Sequence, residues 1–134
     1  MVSKRLKTIL LLTLGIIYLH GLEEVISGFQ YDDPWMIWFA DFFSTKTEVF
    51  YWSFHIMWWL LIPISLLFIF GGRKWTYFLL SLFGLAYFIE LHHPIKALVF
   101  SRYYPGMITG LLYPVVGIFY WRQLIKDWRN YAKT

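Results

Sequence analysis

His20, Glu23 and Glu24 fall in the stretch His20-Gly21-Leu22-Glu23-Glu24, inside an otherwise apolar run long enough to cross a membrane. An ionisable side chain at bilayer depth costs roughly 2.5–3.5 kcal/mol on insertion scales. Three within five residues are therefore not placed there for solubility. Positions i, i+3 and i+4 share a helix face, which predicts that these three side chains point the same way. One imidazole and two carboxylates form half of a site for a divalent metal or for proton transfer.

A second group lies further on. Glu90 and His93 stand at i, i+3 with Tyr87 one turn earlier, and His92 is turned about 100° from His93. A Glu-x-x-His helix facing a His-x-x-Glu helix is the pairing that builds carboxylate–histidine metal centres in bundles. The candidate ligands are His20, Glu23, Glu24, His55, Glu90 and His93, three glutamates and three histidines. They suit one metal, and two only tightly. Oxygen and nitrogen donors favour zinc, iron or manganese without choosing among them. Glu23 or Glu24, if not coordinating, would serve as general base, and Tyr103 could bring a hydroxyl into the site.

Plainer readings stand beside these. A glutamate could pair with a histidine on the next helix as polar glue. Glu90 and His93 lie near the interface, where water reaches them. His92, close before Pro94, reads as a solvated helix end, and His55 among Phe54, Trp58 and Trp59 as a core histidine. Tyr103-Tyr104-Pro105-Gly106 reads as a turn launching the last helix, with interfacial tyrosines.

The elements that must position these residues follow from composition. Of 134 residues, 59% are hydrophobic, 23% aromatic and only 15% charged, where soluble domains carry about 25% charge. Mean hydropathy is +0.54. These values predict one integral membrane domain over residues 1–134. The absence of cysteine excludes disulfides, thiolate ligands and a cysteine nucleophile. The net charge of +4 sits mostly at helix ends and tails, which argues for lipid contact rather than nucleic-acid binding.

A span needs about 20 mostly apolar residues, and such stretches run over about 6–29, 49–70, 75–98 and 107–125. They are too long and non-alternating for barrel strands. The predicted fold is all-α, a four-transmembrane-helix bundle with a short interfacial helix between the first and second spans. That short helix covers Trp35 to Phe43, begun by Asp33-Pro34 as cap and first-turn proline. Gly71-Gly72-Arg73-Lys74 is a predicted tight turn, and Pro63 and Pro114 are predicted kinks. Lys4, Arg5 and Lys7 before an apolar run resemble a signal peptide, but the run continues past Gly15 into the polar cluster without a cleavage site, so retention is expected.

Basic residues set the expected orientation. Lys4, Arg5, Lys7, Arg73, Lys74, Arg122, Lys126, Arg129 and Lys133 fall on one side; Lys46, Lys96 and Arg102 fall on the other. The positive-inside rule then puts both termini in the cytoplasm of a plasma or inner membrane. His20 to Glu24 would lie roughly 20–27 Å along the first helix, in the outer half of the bilayer. His55, about two turns into the second span, and Glu90, His92 and His93, near the outer end of the third, share that depth. One outer-leaflet site is expected, open to the extracytoplasmic face or sideways to lipid.

The sequence resembles the HXXEE family of small membrane proteins, which is marked by that motif, a further histidine and a Tyr-x-Pro-Gly motif. Here the first is His20-Gly21-Leu22-Glu23-Glu24; the last is Tyr103-Tyr104-Pro105-Gly106, with Thr109 following. The further histidine corresponds to His93 or His92. The resemblance covers nearly the whole chain, the four-helix layout included. It implies a shared site, enzymatic in character, and carries over no established activity; His55 and Glu90 come from position alone.

The leading expectation is a metal-dependent intramembrane enzyme that hydrolyses or rearranges a lipid or other lipophilic small molecule. A metal-free Glu/His proton-transfer isomerase or cyclase stays open, as do a proton or ion relay and an accessory protein with a structural metal site. Four short spans without a repeat, with inner halves of Leu, Ile and Phe, make a narrow transporter. Oligomerisation stays open.

Overall fold

The computed structural model describes residues 2–70 and 76–132. The expected tight turn at 71–74, the first residue of the third expected span, Trp75, and the basic Lys133 lie outside the described residues. Among the described residues every regular element is helical.

Helix α1 spans Lys4–Ser27. Ser3 caps it by accepting from the Leu6 N–H, and Gly28 ends it in the left-handed region (φ 78°), where a side chain would be strained. The Ser3 N–H also donates to Asp127 at 2.9 Å, and Gln123 bridges Ser3 and Asp127. The start of α1 is thereby tied to the far end of the chain. A short turn, α2 (Phe29–Asp32), was not expected from the sequence. The expected interfacial helix is α3 (Pro34–Phe42), with Asp33 accepting from the Trp35 and Met36 N–H groups and Pro34 in the first turn. Helix α4 (Thr47–Phe70) continues through Pro63.

The third expected span is a rod in three pieces, α5 (Thr76–Gly84), α6 (Ala86–Ile89) and α7 (His92–Phe100). The fourth is α8 (Met107–Gly110) followed by α9 (Leu112–Tyr131). Prolines account for two of the breaks. Pro94 and Pro114 lack the N–H that would bond the carbonyl four residues back, at Glu90 and Gly110, and the helices part there. Pro114 therefore sits in the first turn of α9 rather than kinking a continuous span. At the break near Leu85 the Phe88 N–H turns to the Leu85 carbonyl, and the Trp121 indole N–H donates to the Gly84 carbonyl instead.

The core joins Leu6, Leu10, Leu80, Tyr87, Tyr113 and Tyr120, drawn from α1, the rod and α9. Two of its tyrosine hydroxyls are satisfied locally: Thr13 donates to the Ile9 carbonyl, so Tyr87 donates to Thr13 at 2.5 Å, and Tyr120 donates to the Leu80 carbonyl. Outward faces are apolar as well, with Ile26 77% and Leu98 80% exposed. Two stretches, Lys4–Ser27 and Thr76–Phe100, are long and apolar enough to cross a membrane.

Asp33 ties α3 to α7. Its carboxylate accepts from the Lys96 ammonium and, at 2.6 Å, from the Tyr104 hydroxyl. Burial disfavours its charge, but the bonds from Lys96 and Tyr104 and the Lys96 charge outweigh burial and hold the carboxyl below the usual aspartate range. A depressed pKa contributes stability above the unfolded value, lost as pH falls through the folded one. Amides of α3 should stay protected from hydrogen exchange at neutral pH and lose protection only below about pH 4. Asp33→Asn should show low protection throughout, after correction for intrinsic exchange rates. An equal pH response in both proteins would disprove the tie.

Candidate metal centre

Helix α1 brings His20 and Glu24 to one buried face, one turn apart, at 4% and 5% exposure. The α6–α7 junction supplies Glu90, and the first turn of α7 supplies His93, which is fully buried. Four polar atoms converge. His20 Nε2 lies 3.6 Å from Glu24 Oε1 and 2.9 Å from Glu90 Oε2. His93 Nε2 lies 3.0 Å from Glu24 Oε1 and 3.3 Å from Glu90 Oε2. Despite these distances, neither buried Nε2 makes a hydrogen bond. The contacts are close, but the ring N–H directions do not run along them.

The outer ring nitrogens explain this. His93 Nδ1 lies 2.5 Å from the Pro105 carbonyl, which can only accept, so Nδ1 carries the proton. His20 Nδ1 lies 2.7 Å from the Thr109 hydroxyl, whose own proton goes to Glu23 Oε2 at 2.5 Å. The hydroxyl must then accept from His20 Nδ1–H. In the neutral rings both Nε2 lone pairs therefore face the cluster, the tautomer that binds a metal.

Glu23 does not share this face. One residue from Glu24, it is turned about 100° away, and its oxygens accept from the Ile108 and Thr109 N–H groups, the Thr109 hydroxyl and the Tyr103 hydroxyl. The expectation that His20, Glu23 and Glu24 point together is corrected for Glu23, whose four donors draw it to the start of α8. Tyr103 reaches Glu23 at 2.8 Å from an exposed position, and it does not reach the cluster.

His55 is buried on α4, with Nδ1 3.2 Å from the Tyr51 carbonyl and Nε2 2.7 Å from Glu24 Oε2. His93 rather than His92 faces His20 and Glu24; His92 turns its Nδ1 to the Ile89 carbonyl at 2.9 Å. His92 still lies near enough to Glu90 and His93 to form a second, less buried trio. The sequence reading assigned no role to Thr109 or the Pro105 carbonyl, because their part is read only from the other end of a hydrogen bond. Gly106 (φ 81°) closes the loop over the site: a Cβ there would stand 2.6 Å from His93 Nδ1 and 2.8 Å from His20 Cε1.

A cavity of about 540 Å³ opens beside the cluster between α4 and the α5–α7 rod. His20, Glu24, His55, Glu90 and His93 are among its walls, and most of the remaining lining is apolar.

The model of a family described as protein of unknown function with HXXEE motif matches residues 11–120. The chain belongs to the HXXEE family. The matched region contains the cluster, the Glu23 anchor and the Gly106 turn, so the site of this HXXEE protein lies wholly within it. No curated protein and no solved structure matches the chain.

Proposed function

We propose that this HXXEE protein is a membrane-embedded, metal-dependent enzyme acting on a lipophilic substrate. The observation that carries the proposal is the pair of buried histidine Nε2 atoms, without hydrogen bonds, converging with two carboxylates on the wall of an apolar cavity. Donors around a zinc-sized ion, at about 2.0–2.1 Å from it, stand roughly 3.3 Å apart when tetrahedral. The four histidine–carboxylate contacts span 2.9 Å to 3.6 Å, and His20, Glu24 and His93 each offer a ligand atom within 4.8 Å of the others.

Roles divide by burial. His20, His93 and Glu24 are nearly closed to solvent and would hold the ion, three protein ligands being the number typical of catalytic sites. Glu90, with 24% of its side chain exposed, is the carboxylate placed to accept a proton at the cavity. His55 orients Glu24 from behind. When bound, a divalent ion polarises a carbonyl and acidifies water, which suits hydrolysis or rearrangement of a lipid.

The membrane part of the proposal has four crossings: α1, α4, the α5–α7 rod and the α8–α9 rod. Its support is the apolar outer surface and the Lys/Arg imbalance, and with it go cytoplasmic termini and an outer-leaflet cluster as parts of the same proposal. The 2.7 Å Glu24–His55 pair favours a second reading, proton transfer without metal. Metal content by mass spectrometry on detergent-purified protein, beside folded His20→Ala, separates the two. Near-stoichiometric metal in the wild type, lost in the variant, is the expected result. No metal after reconstitution with zinc, iron and manganese would move the reading to proton transfer.

A further inference from the structure

The cavity is chemically lopsided about the cluster. Toward the inner ends of its helices it is walled by Ile17, Ile62, Leu82 and Phe83. Leu82 lies eight positions before Glu90 on the rod, or roughly 12 Å at a helical rise. Toward the outer end, beside His93 and one turn beyond it, the wall carries Asp33, His92 and Lys96 among the apolar Phe29, Trp35 and Met36.

The polar groups at that outer end are balanced in charge. Lys96 is the one cation lining the cavity among the described residues, and it is already paired with Asp33. Of its three ammonium hydrogens, one goes to Asp33 and one to the Tyr104 hydroxyl, leaving one. His92 spends Nδ1 on the Ile89 carbonyl, which leaves Nε2 as an acceptor when the ring is neutral. Phosphate recognition uses unpaired Arg or Lys, and Arg102 nearby is matched to Asp32. A donor and an acceptor with no net charge suit a hydroxyl.

We infer that the occupant is an amphiphile with an apolar tail and an uncharged, hydroxyl-bearing head. The head sits at Lys96 and His92, the tail lies along Leu82 and Ile62, and the bond between them lies against His20, Glu24, Glu90 and His93. This assignment rests on the proposed enzymatic site and narrows its substrate class. Apolar side chains exposed beside the cavity, Trp58 and Ile89 among them, give the tail a sideways entry from lipid.

The test uses three probes with one oleoyl chain each: monoolein, oleic acid and oleoyl-lysophosphatidylcholine. Binding is measured by calorimetry on metal-loaded, detergent-purified protein, with metal content read on every sample. Monoolein should bind at least about tenfold more tightly than either charged-head probe. Leu82→Trp, at a half-exposed position, and Ala86→Phe, between cluster and tail, should each weaken monoolein about tenfold or more with metal content unchanged. Equal or tighter binding of the lysolipid or the fatty acid overturns the head assignment, and unchanged monoolein affinity in both variants overturns the tail assignment. A wild type that holds metal but does not prefer monoolein leaves the metal reading standing and removes this one. Selective monoolein binding by protein that takes up no zinc, iron or manganese on reconstitution supports this inference and removes the metal reading.

Discussion

Glu24→Gln is expected to abolish metal retention and activity while the chain stays folded. The substitution keeps the shape of the side chain. It replaces one anionic oxygen with a neutral amide whose N–H can donate to the Nε2 lone pairs that would otherwise bind the ion. Glu24 also contacts four partners: His20 and His93 through Oε1, His55 and Tyr51 through Oε2. Losing a ligand should cost more than the 10–100-fold in metal affinity typical of losing an outer partner. Metal per chain after dialysis, with circular dichroism to confirm folding, reads the effect. Wild-type metal content in a folded Glu24→Gln protein would remove Glu24 from the centre.

Its neighbour should behave differently. Glu23 touches no cluster atom and holds Thr109, which in turn fixes the His20 ring. Thr109→Val removes the hydroxyl at nearly constant volume and leaves His20 Nδ1–H without its acceptor. Metal affinity should fall about 10–100-fold, while stoichiometry at saturating metal stays that of the wild type. Thr109→Ser should restore affinity, which a purely steric role would not require. Glu23→Gln should follow the same pattern, since an amide meets donors where the carboxylate accepted four of them. Competition titration with a metal-sensitive dye measures both. Wild-type affinity in Thr109→Val would show that the ring is held by packing alone.

The adjacent glutamates show where reading by pattern stops. At i+3 and i+4 from His20, both are permitted on its face by helical spacing. The choice between them depends on where α8 begins, eighty-odd residues later in the chain. The broken rods have a similar cause. Pro94 is visible in the sequence, but that the freed backbone lies beside the cluster, with Glu90 at the junction, depends on how α7 packs on α8.

Local chemistry made several features legible in the sequence alone. The apolar runs set the helical class, Asp33-Pro34 set the start of α3, and the cost of charge in apolar surroundings singled out His20 and Glu24. Membership of the HXXEE family follows from motifs in order along the chain. Tertiary structure alone decided which histidine joins the cluster, which glutamate supports it, and which ring nitrogen carries the proton. Each of those depends on a hydrogen-bond partner distant in sequence, and a partner's direction is not encoded in spacing along one helix. The uneven cavity belongs to the same class, because its two ends come from different helices that only packing brings side by side.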